Sequence, residues 1–163
     1  VYFSNGEVLC DGDGDGKIID QSEGFLAWVH LNKFRNQLFT TAKQVTNSRA
    51  IIGQNVKGSK IFKQTGMQIL GDTKLNNSDF YLKNFAINFL RVAAEKNSGN
   101  LLNSAFTPRD LYFIDKKIDD GFPLRGRSFA DSGNDAVLNC ITDDKMFNLG
   151  MDDKLCYQQI AVD

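Results

Sequence analysis

Residues 11–18 read Asp-Gly-Asp-Gly-Asp-Gly-Lys-Ile, so three carboxylates lie two residues apart with a glycine after each. Calcium takes six to eight oxygen ligands. A loop that starts like an EF-hand supplies them from positions 1, 3, 5 and 7 and from a late bidentate Glu, with Gly at position 6 for the turn. Gly16 occupies that turn position. The sequence therefore predicts one Ca2+ in a loop over residues 11–23, held by Asp11, Asp13, Asp15, the main-chain carbonyl of Lys17, and a last oxygen from Glu23, from Ser22 at position 12, or from elsewhere.

The alternative is an Asp-Gly turn whose carboxylates only face water. Three acidic side chains this close repel one another unless a cation lies between them. Ile18 also supplies the hydrophobic residue of position 8, so the calcium interpretation is favoured. The sequence contains no second half-loop of comparable quality, and a paired EF-hand domain is not expected. Acidic residues at 131–135, 143–144 and 152–153 could contribute to another cation site, although such doublets in loops are usually solvated turns.

Composition indicates one globular domain over residues 1–163, because 42% of the residues are hydrophobic and 13 are Phe. The formal net charge is -1, from 19 basic and 20 acidic residues, and no basic cluster with interleaved aromatics is present. Nucleic acid is therefore not an expected partner.

No apolar run approaches the roughly 20 residues that cross a bilayer. The chain opens at Val1 with neither a start Met nor a signal peptide, so we expect a fragment or a processed product.

Three cysteines, Cys10, Cys140 and Cys156, give an odd count without the CxxC spacing of zinc or redox sites. From the residues alone, pairing and inert burial both stay open. A calcium loop of modest affinity suits the periplasm or the exterior, where calcium is abundant. A well-placed pair of thiols would be oxidised there.

The periodicity predicts an α+β fold. Hydrophobic residues at helical spacing indicate an amphipathic helix over about 23–39, followed by a polar, variable surface connection over about 40–63. The remaining residues, 64–163, are expected to form a sheet and a short helix, with strands near 66–70, 80–94, 127–130 and 136–140. The helix begins at Thr107 with Pro108 at its first position and ends at Asp119-Asp120-Gly121. Its predicted buried stripe consists of Leu111, Ile114 and Ile118.

The chain offers no convincing catalytic constellation, and we expect it not to be an enzyme. His30 is its one histidine and has no Cys, Ser or acidic neighbour, and GxSxG, HExxH and phosphate-binding glycine motifs are absent. A glycosidase-type carboxylate pair could be sought among Asp115, Asp119 and Asp120. Their setting at a capped helix end favours a structural role.

Three segments together resemble bacterial pseudopilins and type IV pilin-like proteins, which are made as prepilins. The first is loop 11–18 with the Ala-Trp-Val-His-Leu that follows at 27–31, and the third is the pair of late cysteines. The second, residues 106–127, is the most specific, because its IDKKIDDGFPLRGR is similar to a recurrent hDxKhDDGxPxxGxV pattern in such proteins. Residues 40–104 do not contribute to the resemblance.

The resemblance implies a pilin-like head, in which the N-terminal amphipathic helix packs on a small antiparallel sheet beside a second short helix. It also implies a structural subunit of a type II secretion or type IV pilus type apparatus. Such a subunit is anchored in the inner membrane and meets other pilin or pseudopilin subunits through an N-terminal helix that is absent from this chain. Its head faces the periplasm or the extracellular space.

Pilin-like heads are often stapled near the C-terminus, and 15 residues separate the two late cysteines. The resemblance therefore predicts a disulfide between Cys140 and Cys156, with Cys10 unpaired. Cys10 paired with either late cysteine is the alternative. For function, the alternative is a secreted calcium-binding adhesion or recognition module that does not polymerise. A hydrolase with a calcium-stabilised fold is the weaker third possibility.

Overall fold

A computed structural model describes residues 2–4, 7–9, 16, 18, 23–25, 27, 28, 31, 50–72, 87–97, 99–133 and 139–162, and it has an α+β fold. Within these residues, 23–25, 27, 28 and 31 are helical, and Pro108–Ile118 forms a second helix, here called the capped helix. The strands are β1 Tyr2–Ser4, β2 Glu7–Leu9, β3 Lys57–Gly58, β4 Thr65–Asp72, β5 Ile87–Ala94, β6 Ser128–Ser132 and β7 Cys156–Val162.

The main sheet has the strand order β3-β4-β5-β7-β6, and every neighbouring pair is antiparallel. Strands β1 and β2 form a separate antiparallel pair. The C-terminal strand β7 therefore lies between β5 and β6, inside the sheet. The sequence pattern predicts no strand here, because the middle of β7 is Gln158-Gln159 and a polar pair does not indicate a buried strand. Both glutamines are nevertheless buried.

Hydrophobic clusters lie on both faces of this sheet. One contains Leu111 of the capped helix, Val92 and Cys156, and another contains Phe25, Trp28, Ala93, Leu101 and Tyr157. Successive residues of a strand point to opposite faces. Because the strand neighbours 92 and 93, and likewise 156 and 157, divide between the clusters, the two clusters lie on opposite sides of the sheet.

The capped helix begins as its sequence predicts. Thr107 is the N-cap, its hydroxyl accepts a hydrogen bond from the Asp110 N–H at 3.0 Å, and the Asp110 carboxylate accepts one from the Thr107 N–H. This reciprocal capping box satisfies N–H groups that have no partner within the helix. Pro108 follows at the start of the helix, where its missing N–H costs nothing.

The predicted buried stripe of this helix is wrong in one position. Leu111 is fully buried and Ile114 is half-buried, but Ile118 is 53% exposed. Asp115, which is 1% exposed, takes the buried place instead. A hydrophobicity pattern assigns a carboxylate to the surface, and a hydrogen bond from the Gly121 N–H offsets part of the cost of burying this one.

Residues 50–63, which fall in the segment predicted to be a surface connection, contribute to the core. Ala50 and Val56 are buried in the same cluster as Trp28. The ring of Phe62 packs edge-on against Phe106, with 4.9 Å between ring centroids. The predicted strands at 80–86 and 136–138, and most of the predicted helix 23–39, lie outside the described residues.

Candidate functional site

The exit of the Asp-Gly loop is bound to the sheet at one cross-strand pair, Gly71 of β4 opposite Asn88 of β5. The Ile18 N–H donates to Asn88 Oδ1 at 3.0 Å, and Asn88 Nδ2 donates to the Gly16 carbonyl at 3.0 Å. The Ile18 carbonyl in turn accepts a hydrogen bond from the Gly71 N–H. Two residues of the loop are thus held by three hydrogen bonds.

Glycines make this close approach possible. A Cβ atom on Gly71 would lie 2.6 Å from the Ile18 carbonyl oxygen, and one on Gly24 would collide with the Ile69 carbonyl oxygen. Gly16 adopts φ +77° and is exposed, a left-handed conformation that favours glycine. This conformation occurs at the position where the predicted calcium loop requires its turn.

The predicted ligands Asp11, Asp13, Asp15 and Lys17 lie outside the described residues. Glu23 is described, and it is half-buried and helical. Within the described part of the chain, no three or more His, Cys, Asp or Glu side chains group closely enough to hold a metal. The calcium site therefore stays a prediction, and the Gly16 conformation and the anchored exit are the features of this structure that fit it.

The acidic residues of the capped helix and the following turn are hydrogen-bonded to backbone N–H groups. Gly121 donates to Asp115 Oδ1 at 2.8 Å, and Phe122 donates to Asp120 Oδ1 at 2.9 Å. These carboxylates shape the turn that ends the helix. Gly121 itself has φ +82°, which explains the glycine at this point of the DDG sequence.

Asp119 reaches further, to the edge strand β6. Its Oδ2 accepts hydrogen bonds from the Ser128 N–H at 2.9 Å and from the Arg127 N–H. The Ala130 N–H donates to the Pro123 carbonyl at 2.8 Å. Ser128 and Ala130 would otherwise present unpaired N–H groups at the edge of the sheet. Segment 119–127, here called the edge strap, therefore covers β6.

Burial raises the pKa of Asp115 to about 6. Hydrogen bonds from the Gly121 N–H and the Ser128 hydroxyl offset part of this effect, whereas the charges of Asp119 and Asp120 add to it. Because the folded pKa is raised, the ionised carboxylate opposes folding. The contribution of Asp115 to stability is therefore fully present below its unfolded pKa near 4 and is lost as the pH rises through about 6.

The disulfide between Cys140 and Cys156 is present, which confirms the predicted pairing of the two late cysteines. Both cysteines are fully buried, and their Cα atoms lie 5.2 Å apart. The disulfide joins the loop at Cys140 to the start of β7. The Cys140 N–H also donates to the Ser132 hydroxyl of β6 at 3.1 Å, so the same loop is bound to both strands. Cys10 lies outside the described residues.

A row of buried polar side chains crosses the sheet on the Trp28 side. Arg91 Nη2 donates to Gln159 Oε1 at 3.3 Å, and the Arg91 guanidinium lies 5.4 Å from the centroid of the Tyr157 ring. On β4, Gln68 accepts from the Leu101 N–H at 2.9 Å. Sequence reasoning missed this row, because a polar residue inside a strand is normally assigned to the solvent face.

A cleft of about 700 Å³ opens at the Ala94 end of β5, which is the end farther from Asn88. Apolar and charged residues both line it. Ile52, Ala94 and Leu155 supply apolar surface, and Glu95 and Lys154 supply opposite charges. Glu23, the one predicted calcium ligand that the structure describes, is not among the residues that line the cleft, and His30 lies outside the described residues.

None of the helices formed by the described residues is long and apolar enough to cross a bilayer. No family model, no curated protein and no solved structure matches this chain.

Proposed function

We propose that this chain is the head of a pilin-like structural subunit of a type II secretion or type IV pilus type apparatus. The observation that carries the proposal is the contact pattern of the most specific segment of the resemblance. In IDKKIDDGFPLRGR, the carboxylates of Asp115, Asp119 and Asp120 accept hydrogen bonds from backbone N–H groups. Gly121 adopts a left-handed conformation. These contacts build a helix end and cover the edge of the sheet, which supports a structural role for the segment.

The same contacts favour a structural rather than a catalytic role. A general acid or nucleophile must present its carboxylate to a substrate, but Asp115 is buried and Asp119 binds two N–H groups of the backbone. Two carboxylates held in this way maintain the turn. The glycosidase-type pair considered from the sequence therefore receives no support.

The finer pilin-like arrangement, with an N-terminal amphipathic helix over 23–39 packed on the sheet, belongs to this proposal. It is supported by Phe25 and Trp28, which are buried with Ala93 of β5 and Tyr157 of β7. These two residues are one helical turn apart, so they fall on one face of a helix. That face would cover the side of the sheet opposite the capped helix.

The proposal includes one Ca2+ in loop 11–23, bound by Asp11, Asp13, Asp15, the Lys17 carbonyl and a late oxygen such as that of Glu23. It also includes a periplasmic or extracellular location, with anchorage in the inner membrane through a helix absent from this chain. The buried disulfide supports an oxidising compartment, because such bonds are rare in reducing cytosol. The expected partners are other pilin or pseudopilin subunits.

The upstream coding sequence tests this proposal. A prepilin peptidase motif followed by about 20 apolar residues is the expected result, because that segment both anchors the subunit and drives its polymerisation. A cleavable signal peptide directly before Val1 would overturn the proposal. It would support the secreted calcium-binding adhesion or recognition module in its place.

A further inference from the structure

The cleft at the Ala94 end of β5 has walls that are fixed by backbone hydrogen bonds. The Ala94 N–H donates to the Asn103 carbonyl at 3.0 Å, and the Asn103 N–H donates to the Ala94 carbonyl at 3.3 Å. Just before β7, the Leu155 N–H donates to the Phe106 carbonyl at 3.0 Å. Sites for small ligands are usually preformed clefts of about 300–1,000 Å³. This cleft, of about 700 Å³, has that size.

Two side chains of opposite charge line the cleft, and neither neutralises the other. Glu95 and Lys154 are both exposed, and within the described residues neither of them makes an ion pair. The Glu95 carboxylate is held at the wall, because its Oε1 accepts a hydrogen bond from the Ile52 N–H at 2.5 Å. A ligand that complements both charges carries a cationic and an anionic group of its own.

The rest of the lining combines apolar surface with side-chain amides. Ile52 and Leu155 supply apolar surface, and Gln64 and Asn103 carry amides, which have a donor and an acceptor as a peptide group has. Asn103 Oδ1 is buried and accepts no hydrogen bond within the described part of the chain. A buried acceptor without a donor costs free energy, which a ligand N–H at this wall would recover.

We propose that this cleft binds a short zwitterionic peptide with an apolar side chain. The ammonium group of the peptide pairs with the Glu95 carboxylate, and its carboxylate pairs with the Lys154 ammonium group. Its apolar side chain packs against Ile52 and Leu155, and one of its backbone N–H groups is the donor for Asn103 Oδ1.

NMR titrations of the isotope-labelled chain with the tripeptide Ala-Leu-Ala test the inference. The peptide is added in its free, N-acetylated and C-amidated forms. We expect the free form to shift the backbone signals of Glu95, Ser104 and Leu155 saturably. Each capped form should bind about threefold to fivefold more weakly, which is the size of an exposed ion pair.

Two results of these titrations would overturn the inference. The first is no saturable shift at up to about 5 mM free peptide. The second is an equal affinity for all three forms, because the charged ends would then make no contact and the cleft would suit an internal segment of a longer chain.

Two variants assign each charge of the peptide to its partner. Glu95→Gln keeps an acceptor for the Ile52 N–H, and Lys154→Gln changes an exposed side chain, so both should fold as the parent does. Lys154→Gln should bind the free peptide about threefold to fivefold more weakly and should bind the free and amidated forms equally. Glu95→Gln should likewise bind the free and acetylated forms equally.

Lys117→Gln is the matched control, because Lys117 is exposed on the capped helix and does not line the cleft. This variant should bind the three forms of the peptide as the parent does. If it weakened binding as much as Lys154→Gln, the effect would be one of net charge and the inference would fail. The inference would also fail if Lys154→Gln still preferred the free form over the amidated form as strongly as the parent.

Discussion

The helix-turn segment 107–128 and the Asp-Gly loop 11–18 are both acidic and glycine-containing, yet the contacts of the helix-turn segment differ from those of the loop exit at Gly16 and Ile18. In the helix-turn segment the carboxylates bind the backbone, as when Gly121 donates to Asp115 and Ser128 donates to Asp119. At the loop exit the roles are reversed, because the backbone of Gly16 and Ile18 is bound by the side chain of Asn88.

The difference lies in which group binds the backbone. Behind a helix end, backbone N–H groups lie within reach, and the carboxylates of the helix-turn segment bind them. At the loop exit the sheet binds the backbone of Gly16 and Ile18 instead, through the side chain of Asn88 and the N–H of Gly71. The comparison predicts that the two regions respond independently to substitution, and that calcium binding does not depend on the helix-turn segment.

Leu111→Ala should have the largest effect, because it empties a fully buried position of the capped helix. We expect a loss of about 3–5 kcal/mol in the free energy of unfolding, measured by urea denaturation. Ile118→Ala on the same helix is the matched control, and its loss should be below about 1 kcal/mol because Ile118 is 53% exposed. Equal losses would mean that the helix does not pack by its Leu111 face.

The disulfide lies outside both regions, so its removal tests whether calcium binding depends on the stability of the rest of the fold. The double variant Cys140→Ala, Cys156→Ala opens a loop with a sequence separation of 16, which in the chain-entropy model costs about 3 kcal/mol. The free energy of unfolding should fall by that amount, while the calcium affinity of the folded variant stays at the parent value. A matching loss of calcium affinity would show that calcium binding depends on this distant part of the fold.

Asp115→Asn tests how the stability of the helix-turn segment depends on pH. The variant keeps an acceptor for the Gly121 N–H but cannot ionise, so it avoids the cost that the parent incurs above the raised pKa of about 6. At pH 7.5 in chelator it should be more stable than the parent by up to about 3 kcal/mol, and the difference should disappear near pH 4. Asp153→Asn, at an exposed position, is the control.

Comparison of Asp115→Asn with the parent can also contradict the raised pKa of Asp115. If the stability difference between Asp115→Asn and the parent were the same at pH 4 and pH 7.5, the carboxylate would not titrate in this range. If the variant were less stable than the parent only at high pH, the ionised form would be the one that the fold requires.

Calcium should stabilise the folded chain by mass action alone. At a free concentration one hundredfold above the dissociation constant, binding to the folded state contributes about 2.7 kcal/mol. The melting temperature should therefore rise on addition of calcium and fall again with chelator. An unchanged melting temperature, in protein shown to be metal-free at the start, would contradict a site in the folded loop.

Features set by local chemistry could be predicted from the sequence. The capping box at Thr107 needs only neighbouring residues, and strands β4, β5 and β6 follow patterns of alternating or apolar residues. The Cys140–Cys156 bridge was predicted from the family resemblance.

Features set by distant partners could not be predicted in this way. Strand β7 is central because β5 and β6 pair with it, although Gln158-Gln159 reads as surface. The burial of Asp115 depends on the Gly121 N–H, six residues away. The contact of Asn88 with Ile18 spans 70 residues, and no spacing rule connects the two.

One measurement tests the central comparison most directly: calorimetric calcium titration of the metal-free parent, Asp13→Asn and Asp119→Asn. The substitutions are chemically identical and remove one charge from each acidic segment. We predict that the parent binds one Ca2+, that Asp13→Asn binds at least about tenfold more weakly because a charged ligand is lost, and that Asp119→Asn keeps the parent affinity while melting at a lower temperature. Parent-like binding by Asp13→Asn, or loss of binding by a folded Asp119→Asn, would contradict the account.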